Sequence, residues 1–360
     1  MNLQEHVPLA PRTTLSVGGA ARFFIEARSV EEVKEALAFA RERNLPLFVL
    51  GGGSNIVIAD GGFDGLVLAP RIMDITVEEK GDTALVTAGA GVVWDELVAF
   101  TIERGLAGLE CLSGIPGTVG GAVVANLGAY GAQASDTFVS AETLDRNDEK
   151  NGVRIFKNEE CGFSYHDSIF SHPSERFIIL NATFALSTAR PLKIAYKDNR
   201  FDLAALASES GREPTQADVR AAILKMRGEK GVLATSYKSA GSFFHLPFVS
   251  AEKYAEVAAL ARSLDAGKEE KLRPWAWQQP DGSYKLAAGF LLEYTEFQKG
   301  YVRGAAGISP KHTLAIINVG EARAAEIAAL ARDMQDAVEK TFGIRLEREV
   351  EYVGDVERAA

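Results

Sequence analysis

The chain has 360 residues, of which 47% are hydrophobic and 24% charged, and its net charge is −10. That length and balance suit two or three ordinary globular domains, and the scattered basic residues offer no stripe to neutralise phosphates, so nucleic acid is not an expected partner. The two cysteines, Cys111 and Cys161, are too few for a disulfide framework and lack a paired metal spacing, which predicts a reduced, cytoplasmic protein with no metal.

The first 14 residues lack the apolar core of a signal peptide, and no apolar run reaches the length of a membrane span, so no membrane insertion is expected. Ser29-Val30-Glu31-Glu32 reads as a capping box. It opens an amphipathic helix to about Asn44, with Val33, Leu37 and Ala40 on one face. A short buried strand, Leu47 to Leu50, leads into the loop Gly51-Gly52-Gly53-Ser54-Asn55. Ile56 to Ile58 and Leu66 to Leu68 read as further strands of a small α/β unit. Strands are predicted again at Ile75 to Glu78 and Ala84 to Ala88, with a helix near Trp94 to Arg104. The Gly105 to Gly131 stretch holds eight glycines, yet is too apolar for a flexible linker. Strands resume at Thr137 to Asp145, Val153 to Phe156 and Phe177 to Leu186. A helix follows from Thr215 to Arg227, and another starts at Ser250. Asp265 to Tyr284, charged and carrying Trp275 and Trp277, reads as an exposed excursion with aromatic anchors. The chain closes on a helix, Glu321 to Thr341, and a strand, Ile344 to Val353. No internal repeat is visible.

Two segments suggest a ligand. The glycines of the Gly51 to Asn55 loop permit positive φ and close backbone approach, and successive amides there form an anion-binding concavity to which Ser54 and Asn55 add donors. The loop is neither a G-x-G-x-x-G opening a helix nor a P-loop, and alone it is equally well a structural turn. The second segment runs from Ser113 through Ile115, Pro116, Gly117, Gly120 and Gly121 to Asn126, Gly128, Ala129, Tyr130 and Gly131. Glycines beside small apolar residues there suit either backbone packed on a flat ligand or a tight crossing of chain.

These segments stand in one order with Thr14-Leu15-Ser16-Val17-Gly18-Gly19, Tyr165-His166-Asp167-Ser168-Ile169-Phe170, Met226-Arg227, Ala240-Gly241-Ser242-Phe243-Phe244, Lys285-Leu286-Ala287-Ala288-Gly289 and Leu346-Glu347-Arg348-Glu349-Val350. In that order the chain resembles the UDP-N-acetylenolpyruvoylglucosamine reductase family over about Thr14 to Val353, in its longer form with an aromatic substrate lid. The resemblance implies an α+β fold: a bipartite FAD-binding domain of the vanillyl-alcohol-oxidase type over 14–190, in lobes of about 14–70 and 71–190, and a C-terminal α+β substrate-binding domain over 213–353. It implies a flavoenzyme of peptidoglycan precursor synthesis in which hydride passes from NADPH to FAD and on to the enolpyruvyl double bond of UDP-N-acetylglucosamine enolpyruvate, giving UDP-N-acetylmuramate. The expected partner is this nucleotide-sugar substrate, with no obligate protein partner.

The same resemblance assigns roles. Ser242 is the expected proton donor to the substrate carbanion, Glu349 the carboxyl that donates to the substrate carboxylate, and His166 stands where the family usually has Arg. A histidine acting in place of that Arg predicts a rate that falls as pH rises through its pKa, and a profile unchanged in His166→Gln contradicts this. The FAD is expected on Gly51 to Asn55, Ile115 to Gly117, Gly121, Asn126 and Gly128 to Gly131. The substrate is expected on Tyr165, Tyr196, Arg227, Lys230, Trp277, Lys285 and His312. Glu347, two residues from Glu349 and on the same face of a regular strand, competes for its role. Ala125 and Leu246 depart from the family's usual Gln and Asn. These departures leave two other readings open: the same FAD fold acting on a different substrate, or a nucleotide-sugar binding protein without turnover.

Overall fold

The computed structural model describes residues 2–148, 150, 152–171, 176–198, 200–209 and 211–357. The first lobe comprises β1 (Leu3–Pro8), β2 (Ala20–Ala27), α1 (Val30–Glu42), β3 (Leu47–Val49), β4 (Ile56–Ile58) and β5 (Phe63–Pro70). Its sheet has the order β1-β2-β5-β3, with β2, β5 and β3 parallel. The Ser29 side chain accepts the Glu32 N–H and so caps α1, as the capping box predicts. Val33, Leu37 and Ala40 of α1 pack with Ile25, Leu66 and Leu68, and also with Leu144, Ile178 and Leu180 of the next lobe, so one core joins the two lobes.

The second lobe contains β6 (Ile75–Lys80), β7 (Thr83–Gly89), α2 (Trp94–Glu103), α3 (Val119–Val124), β8 (Gly128–Ala129), β9 (Ala132–Gln133), β10 (Phe138–Asp145), β11 (Val153–Lys157) and β12 (Phe177–Ser187). Its antiparallel sheet runs β11-β10-β12-β7-β6. Trp94 and Phe184 meet edge to face in its core, and full burial of each such ring is worth about 1.5–3 kcal/mol. The helix α3 emerges from the Gly-rich stretch, where glycine hid it from periodicity; Thr118 accepts the Gly121 N–H as its cap.

Beyond the lobes come α4 (Leu203–Ala207), α5 (Gln216–Lys230), β13 (Ser239–Ser242), β14 (Phe248–Val249), α6 (Ala251–Lys271), β15 (Ala276–Gln278), β16 (Tyr284–Leu286), α7 (Ala288–Leu292), β17 (Val302–Arg303), β18 (Ala306–Ile308), β19 (Ala315–Asn318), α8 (Ala324–Phe342) and β20 (Glu351–Val353). The sheet β13-β19-β18-β17 packs on α8 around Phe243, Phe290, Ile316, Ile327 and Met334. By sequence α5 lies after residue 213, but its Val219, Ala222, Ile223 and Met226 sit in the second lobe's core.

Three expectations change. Residues Asp265 to Lys271 continue α6 past a break at Asp265 and are not an excursion. Trp275 is a core residue stacked on Phe290 at 4.0 Å, whereas Trp277 is exposed. The closing strand shrinks to Glu351–Val353, which pairs in parallel with β4 of the first lobe. The preceding residues join the C-terminal domain: Phe244 and Arg348 form an antiparallel bridge, and Ile344, Leu346 and Val350 lie in its core.

Candidate active site

Sequence places Gly52 and Gly117 in separate Gly-rich segments, far apart along the chain; folding puts them in contact. A Cβ added at Gly52 would lie 2.5 Å from the Gly117 Cα, and one at Gly53, whose φ is +61°, would lie 2.2 Å from the Arg12 carbonyl. The Ser54 hydroxyl donates to the Pro116 carbonyl at 3.3 Å. Only glycine permits this backbone crossing, and it leaves a surface of peptide groups rather than side chains. Such a surface fits the pyrophosphate and ring edge of FAD. Gly52→Ala is expected to destabilise the chain by about 1–3 kcal/mol and to strip it of flavin absorbance on purification; a yellow G52A protein would contradict the crossing.

Asn55 links this crossing to the C-terminal segment: its side-chain amide donates to the Glu349 carbonyl at 3.0 Å, and its own carbonyl accepts the Glu351 N–H. The Glu349 N–H in turn donates to the Phe243 carbonyl, one residue after Ser242. The Glu349 carboxyl then meets the turn that carries Tyr165 and His166, with His166 Nδ1 3.5 Å from Oε1. That turn is closed by the Ser164–Asp167 bridge, and His166 holds φ at +52°. It is pinned to the Gly-rich segment, since Asn126 donates to the Ser164 carbonyl at 2.8 Å and Ser168 donates to the Val124 carbonyl at 2.6 Å. The Asn126 amide also donates to Gln133 and its side-chain oxygen accepts the Ser135 N–H, so the side chain is engaged within the protein.

Burial pushes the Glu349 carboxyl up to about 7, against a smaller lowering by Lys285. Burial pulls His166 down to about 4, helped by His245 and Lys285. Both groups are therefore uncharged between those values, and His166 supplies no positive charge at neutral pH. Of this pair, Glu349 and not His166 is therefore the group that changes charge near neutrality. Lys285 lies 3.6 Å over the Tyr165 ring, where desolvation lowers its pKa. Glu347 is exposed; its carbonyl accepts the His245 N–H and its charge acts on His245, not on the substrate side of the Glu349 carboxyl. Glu347 and Glu349 flank the Phe244–Arg348 bridge on one face, and exposure is what separates them, Glu347 being exposed and Glu349 partly buried.

A second cluster gathers cations. Tyr130 and Gly131, both at positive φ, form the two-residue turn of the β8–β9 hairpin. The Tyr130 ring meets Tyr196 edge to face at 5.1 Å. Tyr130 therefore stands with the expected substrate residues as well as beside the glycines. Buried Lys230 donates to Asp198 at 2.5 Å and to the Tyr196 hydroxyl at 3.3 Å, and the Tyr196 hydroxyl donates to Asp198 at 2.7 Å. Arg227 is occupied by backbone, donating to the Gly114 and Val232 carbonyls at 3.1 and 2.8 Å. His312, lowered to about 4 by burial and by the charges of Arg200 and Lys230, accepts the Leu314 N–H at Nδ1. Trp277 pairs with Lys285 across the β15–β16 ladder.

Sequence reasoning missed Asp198, the counter-charge of Lys230, and His245, whose Nδ1 lies 3.9 Å from Glu349 Oε2. His245 directly follows the Gly241-Ser242-Phe243-Phe244 motif, and that adjacency was the available signal. Among the described residues no group of His, Cys, Asp and Glu is arranged to hold a metal ion, and no helix is long and apolar enough to cross a membrane.

A sequence family described as FAD binding domain matches residues 21–150, and one described as UDP-N-acetylenolpyruvoylglucosamine reductase, C-terminal domain, matches residues 233–353. The chain is 38% identical over 359 residues to the UDP-N-acetylenolpyruvoylglucosamine reductase of Thermobifida fusca, covering 97% of this chain and 98% of the relative. It is 38% identical to the protein of that name from Pseudomonas aeruginosa, with the same coverage. The crystal structure of UDP-N-acetylenolpyruvylglucosamine reductase from Thermus caldophilus superposes with a TM-score of 0.65 at 26% identity, over 98% of this chain and 99% of that one.

Proposed function

The chain belongs to the UDP-N-acetylenolpyruvoylglucosamine reductase family, and from that premise we propose that it reduces UDP-N-acetylglucosamine enolpyruvate to UDP-N-acetylmuramate with NADPH, in the cytoplasm. The observation that carries this reading is the junction at Asn55. There a side-chain-free crossing of glycines, suited to FAD, is hydrogen-bonded to the backbone of a carboxylic acid that stays protonated up to about pH 7.

When bound, FAD supplies the hydride relay between NADPH and the enolpyruvyl double bond. The protein must then stabilise negative charge beside the substrate carboxylate and deliver one proton. Glu349, as an acid, donates a hydrogen bond to that carboxylate. Lys285, held against Tyr165, adds positive potential on the same side. Ser242 delivers the proton to carbon, and neutral His166 contributes a single N–H. Lys230 and the Tyr196 hydroxyl receive the diphosphate, and His312 lies toward the nucleoside end, with Arg227 and Trp277 completing the substrate contacts. The FAD is held by Gly51 to Asn55, Ile115 to Gly117, Gly121 and the Gly128 to Gly131 hairpin. The division into 14–190 and 213–353 belongs to the same proposal, with α5 counted by its packing with the second lobe.

Asp198 occupies Lys230 in this structure, so an arriving diphosphate exchanges one anion for another at the same ammonium. Lys230→Met is expected to raise the substrate KM about 10–100-fold, the worth of one charged hydrogen bond, with little change in the rate of flavin reduction by NADPH. An unchanged KM would remove Lys230 from the diphosphate site.

The whole reading is tested by anaerobic stopped-flow. The yellow protein is expected to bleach with NADPH and to regain its colour on addition of UDP-N-acetylglucosamine enolpyruvate. Bleaching without recovery would leave a flavoenzyme of another substrate; no bleaching would leave a binding protein.

A further inference from the structure

The antiparallel bridge between Phe244 and Arg348 fixes more than backbone. The His245 N–H donates to the Glu347 carbonyl and the Glu349 N–H to the Phe243 carbonyl, so residues 245 and 349 stand diagonally on one face of the two-stranded segment. Their side chains converge, with His245 Nδ1 3.9 Å from Glu349 Oε2. On the other side of the same carboxyl lies His166 Nδ1, 3.5 Å from Oε1, and the two imidazole rings are 6.2 Å apart. One carboxyl is thus flanked by two imidazoles, one at each oxygen.

His245 Nδ1 is buried and has no hydrogen-bond partner. A buried polar atom left unpaired costs about 1–3 kcal/mol, so a reason for keeping it there is required. The nearest reason is the Glu349 proton. A carboxylic acid has one O–H donor and one acceptor oxygen, and a neutral imidazole has one N–H and one bare nitrogen. Oε2–H facing a bare His245 Nδ1, with Oε1 facing His166 Nδ1–H, satisfies all three groups after a small rotation of carboxyl and rings.

We propose that His245 is a positioning residue for the acid Glu349: its Nδ1 takes the hydrogen bond of the carboxyl proton in the resting enzyme, which keeps Glu349 protonated until that proton turns to the substrate carboxylate. This rests on the reading of Glu349 as a donor given above. The other groups facing the carboxyl agree with it. Lys285 favours the ionised form but sits over the Tyr165 ring and makes no ion pair with Glu349 within 4.0 Å. Tyr165 is held neutral, its pKa pushed up to about 12 chiefly by burial. Glu347 and Asp167 favour charge on His245, but burial outweighs them and lowers its pKa, so it remains an acceptor at neutral pH.

The test is the pH dependence of flavin re-oxidation by UDP-N-acetylglucosamine enolpyruvate in His245→Ala and His245→Asn holoenzymes. Alanine removes the acceptor and admits water to Glu349. The basic limb is expected to fall by about one pH unit, and kcat near pH 7.5 by about tenfold, recovering toward the wild-type value near pH 6 with KM little changed. Asparagine, whose side-chain oxygen reaches the place of Nδ1, is expected to restore the limb. A limb and rate unchanged in His245→Ala would overturn the proposal, as would a loss of rate equal at all pH values. If the alanine variant does not retain flavin, the same displacement is read in the pH dependence of its urea midpoint, which needs no cofactor. Glu349→Gln separates the two readings: a limb that persists there refutes Glu349 as the acid, whereas one that vanishes there but ignores position 245 refutes only the role of His245.

Discussion

Ser242→Ala is expected to slow re-oxidation of the reduced flavin by UDP-N-acetylglucosamine enolpyruvate by about 10²–10⁴-fold, the usual contribution of a positioned proton donor. Bleaching by NADPH stays within about twofold of wild type, because no proton reaches carbon in that half-reaction. Ser242 ends β13 next to Gly241, whose φ of +81° turns the chain. Its neighbour Phe243 is anchored on both sides, donating to the Leu314 carbonyl and accepting from Glu349. The position of the hydroxyl is therefore set by backbone, and among the described residues its side chain has no hydrogen bond that replacement would break. The stability of the variant should change by less than about 0.5 kcal/mol, as for substitutions outside the core. Equal loss in both half-reactions, measured by stopped-flow absorbance, would mean that Ser242 supports the flavin and is not the donor.

Glu349→Gln carries the second large effect, in two observables of opposite sign. An amide cannot deliver the acidic O–H, and re-oxidation is expected to slow by about 10²-fold or more, with the limb near pH 7 abolished. Stability moves the other way. The folded carboxyl titrates near 7 instead of at its ordinary 4.5. Between those values the unfolded chain has lost the proton and the folded one keeps it, so wild-type stability declines as pH rises from about 4.5 and levels off above about 7. A shift of this size corresponds to about 3 kcal/mol. Glutamine does not ionise, so E349Q should equal the wild type near pH 4.5 and exceed it by up to about 3 kcal/mol at pH 8, read from urea midpoints. Parallel pH profiles of the two proteins would show that Glu349 is already ionised when folded.

Much of this was legible in the residues. Wherever apolar periodicity or a cap stood out, as at Ser29 to Glu42 or Thr215 to Lys230, the element is present within a few residues of its predicted bounds. The elements overlooked have physical reasons. The helix Val119–Val124 is rich in glycine, and its cap Thr118 lies inside a segment read as a loop. The strand Leu3–Pro8 has only Val7 buried, so it lacks a clear apolar alternation. Local signals found the individual site segments, and family order assigned their roles. They could not show that the glycines of 51–53 and 117 cross at backbone distance, since that contact comes from packing between lobes. Nor could they distinguish Glu347 from Glu349, because the distinction rests on burial by residues remote in sequence. The charge state of His166 was likewise hidden, for it depends on burial by residues remote in sequence.

The strand Ile56–Ile58 waits a long time for its partner. Among the described residues its one sheet neighbour is Glu351–Val353, far along the chain, and the Asn55 to Glu349 hydrogen bond beside it spans 294 positions. The second lobe's sheet takes no strand from this segment, whereas the brace of the flavin loop and the acid both come from it. Retention of the flavin is thus expected to depend on a segment almost 300 residues from the loop that would hold it: a protein cut before Glu349 should be colourless as well as inactive.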